Sequence, residues 1–172
     1  MYRALDKWLV PWVRSRMTRK ASSEGLRHLV FCVADHFEPF RAEGGKRPAP
    51  KDALKDLKRW CRMYREELGE FRDADDHPPR HTFFYPAEDY DEGCLEHLAE
   101  FCEDGFGEVE IQLHHRDDTP ADFKRKIATF KEQLRRLGFL GVDAEGKRRF
   151  GFVHGNWSLC NSRPDGDWCG IN

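Results

Sequence analysis

Imidazole and carboxylate side chains gather at four places in this sequence. They are Asp35-His36-Phe37-Glu38, Glu88-Asp89, His114-His115-Arg116-Asp117-Asp118 and His154-Gly155-Asn156-Trp157. Zinc and similar divalent metals accept imidazole nitrogen and carboxylate oxygen together. A metal hydrolase needs about three protein ligands and a carboxylate base near the bound water. Asp35, His36, His114 and Asp118 could provide that set. Adjacent side chains on a strand point to opposite faces, so His114 and His115 do not both reach one metal. His114 pairs more naturally with Asp118, which a loop can curl back to the same side.

Each group also has a plain reading. Asp35 suits a strand-end turn, His36 a surface imidazole, and Asp118 a position just before a helix cap. Glu38-Pro39 reads as ordinary loop chemistry in preference to a catalytic Glu38. His154, Asn156 and Trp157 are candidates for substrate binding. Gly155 would let a ligand approach the backbone, and Trp157 could stack on a sugar ring or pack under a loop. Glu88 is a further substrate-binding candidate, or simply negative charge at a helix N-terminus.

The clusters follow apolar runs rich in Val, Ile and Phe, which predict buried strands at about 28–34, 81–85, 108–113 and 149–153. Between them lie helical patterns. Leu54, Leu57, Cys61, Tyr64 and Leu68 form one stripe, with Gly69 as a stop. Leu95, Leu98 and Cys102 form another, over about 91–103. The clearest helix opens at Thr119-Pro120, with Asp122 in its first turn. Its stripe is Phe123, Ile127, Phe130, Leu134 and Leu137. The order β-α-β-α-β-α-β predicts an α/β fold with a parallel sheet and right-handed crossovers. Parallel strands deliver their C-terminal ends to one face, where sites are built. Four strands make a small open sheet or half of a (β/α) barrel. No terminal helix follows the last strand, so a domain at 26–172 that is incomplete at its C-terminus is expected.

The chain has 172 residues, 39% hydrophobic, 35% charged and 13% aromatic, with a formal net charge of -2. That suits one soluble globular domain and gives no reason to expect nucleic-acid binding. Core filling is the default use of the aromatics. The six cysteines form no C-x-x-C, sit mostly inside strand or helix patterns, and suggest a reducing, cytoplasmic setting without a disulfide framework. Residues 1–25 form a basic segment with Trp8, Leu9, Val10, Trp12 and Val13. It is too short to span a bilayer and lacks the features of a secretory signal. It reads as an interfacial anchor making peripheral membrane contact through Trp8 and Trp12, or as a short helix packed on the domain and interrupted at Pro11. There is no phosphate loop, dinucleotide fingerprint or nucleophile elbow.

Three segments, VADHFEP, VEIQLHHRDDT and FGFVHGNWS, resemble the polysaccharide deacetylase (NodB-homology) superfamily, and more closely its bacterial deacetylase-like members. They cover roughly 28–158. In that family the first strand ends in two aspartates, the catalytic base and a metal ligand. Asp35 matches the base, and His36 stands at the ligand position. The family's H-S/T-x-x-H motif supplies two histidine ligands. His114 matches the first, and Asp118 stands at the second. FVHGNW departs from the family's Arg-Pro-rich third motif, and the later motifs have no counterpart before Asn172. The resemblance implies a distorted (β/α) barrel and a divalent metal, with zinc the expected ion. It implies metal-water attack on an acetyl group of a carbohydrate, Asp35 taking the proton. Two alternatives accompany it. One is a metal-free glycan hydrolase using carboxylates such as Asp35 and Glu88. The other is a non-catalytic sugar-binding or membrane-associated accessory protein. An open half-barrel would also expose a sheet edge that favours homo-oligomers.

Overall fold

In the computed structural model, residues 5–19, 25, 28–42, 44–114 and 118–155 are described. The chain divides into two compact units, Met1–Phe31 and Cys32–Asn172.

The first unit holds helix α1, Leu5–Thr18. It runs unbroken through Pro11, contrary to the expected interruption. Proline lacks the N–H that would bond back to Lys7, which removes one hydrogen bond from the helix without ending it. Trp8 to Arg19 are all exposed, and so are Leu29, Val30 and Phe31. Among the described residues no helix is long and apolar enough to cross a membrane.

The second unit is an α/β half-barrel: strands β1 (Val33–His36), β2 (His81–Pro86), β3 (Gly107–Leu113) and β4 (Phe152–His154) lie in the order β1-β2-β3-β4, all parallel. Helices α2 (Pro50–Leu68), α3 (Glu92–Glu103) and α4 (Pro120–Arg136) connect them. Sequential order with right-handed crossovers sends each connecting helix to the same side of the sheet. Accordingly α2 packs on α3, and both α3 and α4 pack on β3.

The helices begin where their sequences provide caps. Asp91 accepts from Cys94 N, and Thr119 accepts from Asp122 N, each satisfying a donor left free by the first turn. Pro50 and Pro120 occupy first positions, where no N–H is needed. The buried stripes follow the expected spacing: Leu57, Cys61 and Tyr64 on α2, Leu95 and Leu98 on α3, Phe130 and Leu134 on α4.

The core lies between these stripes and one face of the sheet, formed by Phe83, Tyr85, Val109, Ile111 and Leu113. Trp60, Tyr64, Phe83 and Phe101 meet largely edge to face, the arrangement that ring quadrupoles favour. Cys61, Cys94 and Cys102 are free thiols in or beside this core. Burial pushes Cys61 up to about 11 and the other two up to about 12. They act as small apolar fillers rather than nucleophiles.

The first strand differs from expectation. Residues 28–32 are not strand, and β1 begins at Val33, opposite His81. A parallel strand needs a partner for its hydrogen bonds, and β2 offers none before His81. Asp35 and His36 therefore lie within the strand, not beyond it. The last strand is also shifted, to Phe152–His154.

Candidate functional site

Strand parity decides which polar groups can meet. Asp35 pairs in register with Phe83, and Phe83 with Val109, so Asp35 shares the helix-covered face. His36 pairs with Phe84 and Glu110 and takes the opposite face. The two neighbours thus diverge. Asp35 Oδ1 stands 3.1 Å from Nε2 of His81. That approach lacks hydrogen-bond geometry, and both nitrogens of buried His81 have no hydrogen-bond partner among the described residues.

His36, Glu38, Gln112 and His114 follow the other face towards the C-terminal strand ends. Phe37 N bonds Phe84 O at 3.0 Å, continuing the ladder one residue past β1. The Phe37 ring packs against Phe83 and Tyr85. This extended backbone returns Glu38 to the side of His36 and leaves its side chain only 16% exposed. Gln112 Nε2 donates to Glu38 Oε1 at 2.9 Å. His114 Nε2 lies 3.3 Å from the same oxygen. His36 Nδ1 and the Arg41 guanidinium approach the Glu38 carboxylate at 3.8 Å each.

The other side of the imidazole belongs to Glu88. This residue sits in the short 3-10 turn Ala87–Asp89, directly after β2. Its Oε1 accepts from His114 N at 3.1 Å and meets Nδ1 at 2.5 Å. His114 is therefore held at Nδ1 by Glu88, while its Nε2 faces Glu38 and Gln112. The Glu88 hydrogen bond raises its pKa, burial opposes this, and the charges of Glu88, Glu38 and Asp89 raise it further.

Two proton states follow. When Nε2 is bare, the Gln112 amide, 3.3 Å away, can donate to it while also donating to Glu38. When Nε2 is protonated, the imidazolium faces the Glu38 carboxylate oxygen 3.3 Å away. Gln112 is fully buried, and its Oε1 has no hydrogen-bond partner among the described residues.

A cavity of about 280 Å³ opens beside this group, its wall chiefly carbon. Glu88 and His114 form one end. Leu113 and Phe130 supply apolar surface, and Lys126 and Thr129 of α4 line it too.

Asp118 does not join His114. It is 8% exposed, and its two oxygens receive Lys126 Nζ at 2.7 and 2.8 Å. Lys126 stands two turns along α4, and its charge offsets the cost of burying the carboxylate. His154 lies in β4, half-buried and in register with Leu113. His115, Asn156 and Trp157 lie outside the described residues.

His36 and His114 both approach Glu38, whereas Asp118 pairs with Lys126. Among the described residues, no group of three or more His, Cys, Asp or Glu side chains is arranged to hold a metal ion.

The sequence reading places Glu38 in loop chemistry and does not single out Gln112 or Lys126. The signal for Gln112 was present, since an amide inside the apolar run VEIQL, two residues before His114, must share its face. No protein-family model, curated protein or solved structure matches the chain.

Proposed function

We propose that this chain is a hydrolase of the polysaccharide deacetylase type, removing acyl groups from a carbohydrate, with His114 as its proton-transfer group. One observation carries the reading: the His114 imidazole is held at Nδ1 by Glu88 and faces Glu38 and Gln112 at Nε2, at the C-terminal ends of parallel strands. The resemblance of VADHFEP, VEIQLHHRDDT and FGFVHGNWS to that superfamily supports the substrate class, and the half-barrel sheet is compatible with its distorted barrel.

Glu88 fixes the tautomer that carries the proton on Nδ1 and leaves Nε2 as the base. Nε2 takes a proton from water as the water oxygen bonds to the acyl carbon. Glu88 stabilises the imidazolium so formed. The tetrahedral intermediate then collapses, the carbon–nitrogen or carbon–oxygen bond to the sugar breaks, and Nε2–H passes its proton to the leaving amine or alcohol. The products are acetate and a free amino or hydroxyl group.

A metal-dependent form of the same reading rests on one pair. The 3.3 Å between Glu38 Oε1 and His114 Nε2 matches two ligands sharing a tetrahedral zinc with bonds of about 2.0–2.1 Å. Glu88 would then be the outer carboxylate that orients the ligand.

Acetate release from N- and O-acetylated oligosaccharides, with and without chelator, tests both forms. Release that survives chelation and is abolished in His114→Gln supports the imidazole as base. Release lost on chelation and restored by zinc moves the reading to the metal form. A folded protein that releases no acetate from any of them contradicts the deacylase assignment.

A further inference from the structure

From Trp8 to Arg19 the side chains of the first unit are exposed, including Trp8 at 45%, Trp12 at 53%, Val10 at 72% and Met17 at 82%. At about 100° per residue, Trp8, Leu9, Val10, Trp12, Val13 and Met17 fall within an arc of about 200°. Arg14 and Thr18 lie on the remainder. Arg16 falls within the arc, with its guanidinium 5.8 Å from the centre of the Trp12 ring. Its stem can cover apolar surface while its charge reaches outwards. Arg14, Arg16 and Arg19 are basic, and no acidic residue occurs between Trp8 and Arg19.

We infer that α1 is an interfacial anchor that binds the surface of an anionic phospholipid membrane. Its 14 residues span about 21 Å, short of the ~30 Å hydrocarbon core. The helix therefore lies in the plane of the interface. Paired tryptophans suit the boundary between headgroup and acyl chain, since each ring has an apolar body and a polar N–H. The arginines suit negatively charged headgroups, and exposed cations alone would not account for so many exposed apolar side chains. Pro11 falls outside the apolar arc, so its missing hydrogen bond does not interrupt the contact surface.

The experiment is co-sedimentation of the full-length chain with vesicles of phosphatidylcholine alone and of phosphatidylcholine with phosphatidylserine, with tryptophan fluorescence read in parallel. The expected result is binding to the anionic vesicles, with a blue-shifted emission. Trp8→Ser/Trp12→Ser should lower partitioning about tenfold or more. Arg14→Glu/Arg16→Glu should lower it by at least about tenfold. Salt at ~1 M should release the protein, because screening shortens to about 3 Å. Absence of binding, or binding that neither variant weakens, overturns the inference. Equal binding to neutral vesicles removes its electrostatic part. Self-association abolished by the tryptophan variant, in a chain that ignores vesicles, overturns it in favour of a protein partner.

Discussion

Gly155 stands directly against the His114 ring: a Cβ there would lie 2.6 Å from Nε2 and 2.7 Å from Cγ. Its backbone N donates to Leu113 O at 2.9 Å, so the turn after β4 is tied to the end of β3. The glycine that suggests ligand access in the sequence instead makes room for the imidazole. Gly155→Ala should displace the ring from Glu88 and destabilise the fold by about 1–3 kcal/mol. Chemical denaturation gives the energy, and the His114 ring signals in NMR give the displacement. Unchanged ring shifts would show that the contact is not as close as described.

Glu88→Gln should change how stability depends on pH. His114 has a folded pKa raised above its unfolded value, chiefly by Glu88. A raised histidine pKa contributes stability that is fully present below the unfolded pKa of about 6.5 and is lost as pH rises through the folded pKa. The stability gap between the wild type and Glu88→Gln should therefore be largest in mild acid and shrink above that range. Denaturant midpoints from about pH 5 to 9 would show it. A gap that widens with pH would contradict the assigned direction.

Lys126→Met should destabilise the protein by about 2 kcal/mol, because it removes the ammonium group that pairs with both oxygens of the buried Asp118 carboxylate. The double variant Lys126→Met/Asp118→Asn should recover part of that loss. If Asp118 were a metal ligand in the working protein, Lys126→Met would increase metal uptake instead, and elemental analysis would detect it.

Leu98→Ala should cost about 2–5 kcal/mol, since Leu98 is fully buried between α3 and the sheet. Thr119→Ala should cost about 1 kcal/mol by removing the bond to Asp122 N. Thermal or urea denaturation checks both, and the reverse ranking would mean that the packing has been misread.

The helices and central strands were legible because local signals agreed with tertiary ones. Thr119-Pro120 states where α4 begins, and Phe130 and Leu134 state which side it buries. The first strand was not legible, because apolar residues at 29–31 read as buried until the length of β2 is known. The site was legible in its location and not in its membership. Strand alternation also separates Asp35 from His36 and returns Glu38 to the side of His36. Glu38 was set aside because the proline after it signals a loop. The pairing of Asp118 with Lys126 is not legible in a short motif, because the lysine lies eight residues on, about two helical turns away.

The central claim is that Glu88 holds His114 as a proton-transfer group. An NMR titration of the His114 ring in the wild type and in Glu88→Gln tests it most directly. The expected result is a wild-type pKa above the usual histidine value of about 6.5, a bare-Nε2 tautomer on the basic side, and a clear fall in pKa in the variant. A His114 that titrates identically in both proteins would mean that the Glu88 contact does not govern the imidazole, and would contradict the account.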